Sequence, residues 1–451
     1  MKTRRILALL MAVLMLIGCL AACGGKGDDK GSKDDNGTTT TVAGGSNGGE
    51  ETAVTDWTAD IAKLGAAIQQ EAGGNAISLK VWGPEAAQDV FKKQTADFAE
   101  LFKDYADIQI EVKVQGEDTA TTAVQNDPES AADVFGFASD HLELLYSANL
   151  AEVIFPDDVN NNNTADSIKG AQKNGTLYAY PSTDNSYILA YDKSVLSEDQ
   201  VKTFEGLLDA CKAAGKTFVM DAKNGYFNCT FLFTGGWAID GFEANGETQK
   251  FNDYDIDQVA KTVKAYADVL NGAGTTFVPS ASGTAIDGFK KGTTAAGIVG
   301  GWDINSVEEA LGENAGYAVI PSINVDGTDV PSVNMFGYKY LGVNKVTKYP
   351  LTSQILANYL TNYDCQLYRA QEISWTPVNL EAQKHEDVVS STSIPVFMEQ
   401  SKTSVVQTDV AKTFWDPLAA LGTYMFTAGN DTSEAALKTQ IEMCLVNIKD
   451  E

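Results

Sequence analysis

The residue types that carry most acid–base and metal chemistry are scarce in this chain. Its two histidines, His141 and His385, lie far apart in sequence, and neither has a metal-binding spacing around it. A zinc site or a histidine-dependent triad has little raw material, so no metal, cofactor or catalytic residue is expected. Carboxylates stand instead in loops that follow strand-like runs: Glu85 after Trp82-Gly83-Pro84, Glu117 and Asp118 after the run ending at Val114, and Asp140 after Phe137-Ala138-Ser139. Asp140 also suits the N-cap of a helix starting there. Trp302 follows Gly300-Gly301 just after another strand-like run, where loops face a cleft. Trp82 ends the first strand and reads as structural, and Trp375 precedes Thr376-Pro377. Gly25-Lys26-Gly27 and Gly44-Gly45-Ser46-Asn47-Gly48 superficially resemble phosphate or nucleophile loops. Neither follows a strand nor opens a helix, so both are set aside.

These residues need elements to hold them. Ile77, Leu79 and Val81 alternate into Trp82 as a strand, which Gly83-Pro84 ends. Val90, Phe91, Phe98, Leu101 and Phe102 then recur at helical spacing, and Ile108, Ile110, Val112 and Val114 alternate strictly. Strand, helix and strand make a βαβ unit, which implies a parallel sheet. Asp133 to Phe137 reads as a short buried strand and Asp140 to Ala148 as the helix after it. Further strands are expected at Tyr187 to Tyr191, Phe218 to Met220, Ala296 to Val299 and Tyr317 to Ile320. Thr203 caps a helix with an apolar face of Phe204, Leu207, Leu208 and Cys211, ending at Gly215. In the last helix Leu437, Ile441, Cys444, Leu445 and Ile448 form one stripe, with Asp431 and Glu434 as a capping box. The class is α/β, with two lobes built on open sheets.

Composition and the first residues bound the setting. Residues 56–451 are long for one hydrophobic core and suggest two lobes. A formal net charge of −28 argues against nucleic acid and against flat adhesion to anionic lipid. Lys2, Arg4 and Arg5 precede an apolar run from Ile6 to Ile17. That run is too short to span a bilayer, which needs roughly 20 residues, but it suits a secretory signal. Leu20-Ala21-Ala22-Cys23 resembles a bacterial lipobox, and Leu16-Ile17-Gly18-Cys19 fits less well. Residues 1–22 are therefore expected to be a lipoprotein signal peptide, with diacylglycerol and palmitate-type acyl chains on Cys23. Several acyl chains hold far more firmly than one. The expected location is the extracellular face of the cell membrane, with membrane contact through the lipid alone. Residues 23–55 alternate glycine with polar residues and read as a disordered tether. Cys211 and Cys444 fall on apolar helix faces, and the scattered body cysteines suggest buried free thiols.

The order of motifs resembles the extracellular solute-binding proteins of ABC sugar importers, most closely the maltose/maltodextrin-binding group. Leu79-Lys80-Val81-Trp82-Gly83 carries the resemblance first. Ala132-Asp133-Val134-Phe135 through Ala138-Ser139-Asp140, with Asn149-Leu150-Ala151-Glu152-Val153, carries it next. Asn174 to Pro181 with Tyr191-Asp192-Lys193, Phe289-Lys290-Lys291-Gly292 to Gly301-Trp302, and Phe414-Trp415 complete it over roughly residues 77–448. The resemblance implies a two-lobed periplasmic-binding-protein-like fold with hinge strands and a central ligand cleft. It divides the chain into a leading helical segment (56–76), N-lobe (77–184 and 323–375) and C-lobe (185–322 and 376–451). Crossings are expected near Ser182 to Asn185, Pro321 to Asn324 and Trp375 to Asn379.

It also implies site residues. Sugars offer apolar faces for flat aromatics and hydroxyls for carboxylates and amides. Trp302, Trp415 and Tyr226 match stacking positions of the group, and Trp375 sits at an expected hinge. Asp140 matches a carboxylate that bonds hydroxyls, and His141 a basic position beside it. Phe137 stands where maltose binders carry Trp, and Asn185 where they carry Glu, with Asp184 a possible substitute. Glu85 is a cleft candidate, and Glu117 and Asp118 are weaker ones. The implied function is a monomeric, non-enzymatic receptor that captures α-glucan oligosaccharides and delivers them to an ABC permease by lobe closure. Another oligosaccharide remains open because of Phe137 and Asn185. A secreted glycosidase would need two carboxylates about 5 or 6.5–9.5 Å apart across a bond, and no catalytic motif is present. A surface adhesin fits the lobed α/β pattern poorly.

Overall fold

The computed structural model describes residues 57–244, 248–408 and 410–449. Cys23, Cys19, the leader and the expected tether lie outside them. A leading helix, Trp57–Ala72, precedes two large sheets, beside which three two-stranded ones are minor. The first holds β1 (Ile77–Gly83), β2 (Ile108–Val114), β3 (Val134–Ala138) and β4 (Tyr180–Asn185). The second holds β5 (Tyr187–Asp192), β6 (Thr217–Met220), β7 (Phe277–Pro279), β8 (Thr294–Gly300) and β9 (Ala315–Ala318). The chain then returns to the first sheet with β10 (Asn334–Val343) and β11 (Ser404–Val406). Strand orders are β11-β10-β3-β1-β2, with β4 also on β10, and β7-β6-β8-β5-β9.

The βαβ expectation holds at the start. Helix Gln88–Leu101 buries Val90, Phe91 and Phe98, and β1 pairs parallel with β2 from Ile77 opposite Ile108 to Gly83 opposite Val114. The buried aliphatics of β1 and the aromatics of that helix join one core, which also takes Tyr338, Tyr340 and Leu341 of β10. The second sheet has its own core, with Tyr187, Phe204, Trp237, Tyr266 and the terminal helix side chains Leu437, Ile441, Cys444, Leu445 and Ile448. Two large cores and smaller clusters, one of them with Ile188, Phe289 and Val299 on the second sheet, follow from a body too long to bury its apolar surface in a single cluster.

Several local expectations shift. The chain passes between sheets at Ser186, which separates β4 from β5. Its return comes later than 323, because Ile323 and Val325 pack in the second core. β11 pairs with β10 in the first sheet, although it falls in the stretch 376–451. The helix expected from Asp140 to Ala148 is a single 3-10 turn, Ser139–His141, followed by Leu142–Leu145. The strand expected at Tyr317 to Ile320 runs from Ala315 to Ala318. Thr203 does cap its helix, accepting from Gly206 N at 3.1 Å. Asp431, by contrast, accepts from Ser433 N at 2.8 Å, so Ser433 sits between the expected cap and helix Glu434–Lys449. Cys211, Cys229, Cys365 and Cys444 are all free and buried.

The crossing strands are held by buried polar groups. Arg369, 1% exposed, donates to Gln94 Oε1 at 2.9 Å, Leu360 O at 2.7 Å and Ser182 Oγ at 3.3 Å. It thereby ties helix Tyr363–Ile373 to β4. Burial of this guanidinium among neutral partners lowers its pKa to about 10. Asp184, also on β4, is 7% exposed, and its Oδ2 has no hydrogen-bond partner among the described residues. Burial raises its pKa to about 7, against the opposing pull of the nearby Thr376 side chain and Lys339. A carboxyl group raised this way favours the folded state when protonated. Its contribution is complete below pH ~4, its ordinary value, and is lost as pH rises toward 7. Asp184→Asn is therefore expected to flatten the fall in stability between pH 4 and 7, an effect bounded at roughly 4 kcal/mol. Chemical denaturation at pH 5 and pH 8 checks this; an unchanged pH slope in the variant contradicts it.

Candidate functional site

A cleft of about 690 Å³ opens between the two sheets. Its first wall is made by loops at the carboxyl ends of three parallel strands. Pro84, Glu85 and Ala86 follow β1; Gly116, Glu117 and Asp118 follow β2; Asp140 and His141 follow β3. Open α/β sheets bind ligands at this edge because side chains and helix N-termini converge there. Tyr226, Trp302 and Trp415 form the facing wall, and Asn185, Lys339 and Gln407 lie between them.

The aromatic wall is fixed by close backbone contacts. Tyr226 opens helix Gly225–Thr234, where Asn224 Oδ1 caps Tyr226 N at 2.9 Å. Trp415 opens helix Trp415–Met425, which packs against it. A methyl group at Gly225 would overlap the Trp415 carbonyl oxygen, so glycine there lets the two helices touch. Trp302 folds back over Gly300, whose α carbon has no room for a side chain. Asp303 Oδ2 accepts from Gly300 N at 3.1 Å and closes that turn. The Tyr226 ring lies 5.9 Å from Trp415 and 6.2 Å from Trp302. Its hydroxyl donates to Asn185 O at 3.0 Å, linking this wall to the end of β4. Burial pushes the Tyr226 hydroxyl well above its ordinary pKa, with help from Cys229, Asp140 and Asp184, so it stays a neutral donor.

The opposite wall is polar. Asp140 is 9% exposed, and its Oδ2 accepts from Trp415 Nε1 at 3.2 Å. Its Oδ1 is buried with no partner among the described residues. Its side chain makes no N-cap bond, so the capping role considered from sequence is not taken. His141 Nε2 lies 3.8 Å from Asp140 Oδ2, while Nδ1 is 2.9 Å from Thr121 Oγ1. Asn185 Nδ2 donates to Gln407 Oε1 at 3.3 Å. Lys339 Nζ lies 2.8 Å from Glu117 Oε2, with Trp302 and Trp375 ring centroids 5.3 and 5.1 Å away.

Of the residues singled out from sequence, the cleft gathers Glu85, Glu117, Asp118, Asp140, His141, Asn185, Tyr226, Trp302 and Trp415. Three do not line it. Phe137 is fully buried between Phe135 and Tyr340 in the first core. Every residue from Val134 to Phe137 is buried, so β3 has no polar alternation to show which face Phe137 takes. Asp184 points away from the cleft because it neighbours Asn185 on a strand, and adjacent side chains face opposite sides. Trp375, 5% exposed, packs behind Lys339. Lys339 and Gln407 were missed. A lone lysine in the apolar run Phe336 to Val343 is a legible signal; Gln407 gives none.

Among the described residues, no group of three His, Cys, Asp or Glu is placed to hold a metal ion. No helix among them is long and apolar enough to cross a membrane.

Comparison with known proteins follows the same lines. A solved structure with acarbose is 27% identical, with a TM-score of 0.73 over 83% of this chain and 99% of that one. The maltodextrin-binding protein MalE1 of L. casei BL23, without ligand, is 26% identical, with a TM-score of 0.70 over 83% of this chain and 100% of its own. The maltose-maltodextrin binding protein of Alicyclobacillus acidocaldarius shares the fold at 20% identity, with a TM-score of 0.66 over 83% of this chain and 100% of its own. A search of curated proteins finds no match. The model of the bacterial extracellular solute-binding proteins matches residues 93–396, more than half of the sequence, and the chain belongs to that family.

Proposed function

We propose that the chain is a lipid-anchored extracellular receptor for maltodextrins and related α-glucan oligosaccharides, delivering them to the permease of an ABC importer by lobe closure. The observation that carries this reading is the cluster of Tyr226, Trp302 and Trp415 facing the half-satisfied carboxylate of Asp140 across one cleft. Flat rings suit the apolar faces of pyranoses, and a buried carboxylate suits their hydroxyls. Relatives above 25% identity include a structure with acarbose and a maltodextrin-binding protein, which favours the same ligand class. In this reading β4, β10 and the segment before β11 carry the hinge, the receptor works as a monomer, and Cys23 holds it at the membrane. Glu85, Asp140, His141 and Asn185 serve the hydroxyls; Trp375 and Asp184 act from behind the surface, on the hinge. Ligand that touches both walls favours the closed state by its differential affinity for it.

A second oligosaccharide class remains a specific alternative. With Phe137 in the core, the first wall offers no aromatic platform of its own at that position. Asn185 brings an amide, not a charge, to the end of β4.

The wild-type protein is expected to melt at higher temperature with maltohexaose, by an amount equivalent to about 2.7 kcal/mol at a hundredfold excess over Kd. The sugar is expected to be recovered intact. No shift with any α-glucan would sink the reading, and new reducing ends would make the protein a hydrolase. Trp302→Ala is expected to cost about 2 kcal/mol of binding by calorimetry while the fold survives. Unchanged affinity would remove Trp302 from the site. Cys23→Ala is expected to move the protein from membrane to soluble fractions; continued lipidation would shift the anchor to Cys19.

A further inference from the structure

We propose that Lys339 is a specificity-determining residue of the cleft, donating from its ammonium to the ring and glycosidic oxygens of a bound pyranose. This rests on the oligosaccharide reading and concerns a residue which that reading does not use. A pyranose presents two kinds of oxygen. Hydroxyls donate and accept, whereas ring and glycosidic oxygens only accept. Carboxylate oxygens, as on Glu85, Asp118 and Asp140, accept, so they serve the first kind and not the second.

Several of the cleft's other donors are committed. Trp415 Nε1 is spent on Asp140, the Tyr226 hydroxyl on Asn185 O, and Asn185 Nδ2 on Gln407. An ammonium has three hydrogens. Glu117 takes one at 2.8 Å, and the rings of Trp302 and Trp375 flank the cation on their faces. Lys339 thus lines the cleft as its one lysine, with hydrogens to spare among the described residues. Both partners of the pair are nearly buried, at 9% and 12% side-chain exposure, so the ammonium is held in place and largely desolvated. A buried donor that a ligand leaves unpaired is penalised, which turns one hydrogen bond into discrimination. The location adds direction. Lys339 sits on β10 beside the shift of register between Lys339 and Tyr340, against a Trp302 ring carried by the opposite wall. The ammonium lies over one face of the Trp302 ring, so a sugar brought to that face meets it directly.

The test uses maltotriose, its analogue with sulfur for the glycosidic oxygens, and its analogue with methylene for the ring oxygens. Affinities are measured by calorimetry on the full chain. The wild type is expected to prefer maltotriose over both analogues by about tenfold or more. In Lys339→Met combined with Glu117→Gln, which removes donor and partner together, that preference should fall to within about threefold. Lys339→Arg, which keeps a donor, should retain it. An undiminished preference in the double variant, or an equal loss of affinity for all three ligands, overturns the proposal. So does loss of the preference in a folded Lys339→Arg protein. Absence of maltotriose binding by the wild type is a different failure: it removes the oligosaccharide reading, and this inference with it.

Discussion

Strand β10 must satisfy its backbone on both sides while all ten of its residues are buried, and the rest of the fold is arranged around that constraint. Its partners come from distant parts of the chain: β3 on one side, β4 along much of its length, and β11 at its start. An unpaired strand edge in such a setting would cost a lost hydrogen bond at every second residue. The chain therefore crosses between sheets where β10 can collect partners. The same strand uses its two-residue period to serve two ends. Phe336, Tyr338 and Tyr340 stack along one face, in successive contact at 5.5 and 6.4 Å. The other face turns Gly337 and Lys339 toward Gln407, Glu117 and the cleft.

The two walls of the cleft divide the chemistry. One brings aromatic surface from the helices and loops of the second core, and the other brings carboxylates from the strand ends of the first sheet. Each wall is stitched to the other by single polar bonds: Trp415 to Asp140, and Tyr226 to the carbonyl of Asn185. Polar contacts this few are readily exchanged for contacts with a ligand. A ligand that offers both an apolar face and hydroxyls gains from the two walls only when they approach. That is the differential affinity a closing receptor requires.

Much of this was legible in the sequence because it depends on local period. The alternation of Ile77, Leu79 and Val81, and the helical spacing of Val90 to Phe102, fixed the first βαβ unit. Trp302 was visible because two glycines after a strand leave a bulky aromatic no role in the strand itself. What failed is what a period cannot carry. Where every position of a strand is buried, as from Val134 to Phe137 or from Tyr180 to Asn185, no polar face marks the outside. Strand period therefore does not separate Phe137 from Asn185, although one faces the core and the other the cleft. The return to the first sheet is hard to place from sequence for a related reason. The strand Ile323–Val325 carries apolar residues that suit either core, and only packing against the second decides. Gln407 reaches the cleft through a pairing between residues seventy apart, Asn334 and Ser404, which no local signal announces.

The burial of Phe137 bears on selectivity more than its identity does. A platform on the first wall would let a ligand stack from both sides, and affinity would then depend chiefly on apolar area. Without it, the flat rings are those of the second wall, and the first wall offers the polar groups of Asp140 and His141. Directional bonds distinguish hydroxyl stereochemistry, whereas stacking tolerates it. The amide of Asn185 sharpens this, since it is already engaged with Gln407 and lacks the charge that would accept strongly from any nearby hydroxyl. On the proposed reading, selection among sugars draws on groups with unmet bonding capacity. Asp140 Oδ1 is one acceptor of that kind and Lys339 one donor, the first on the loop after β3 and the second on β10.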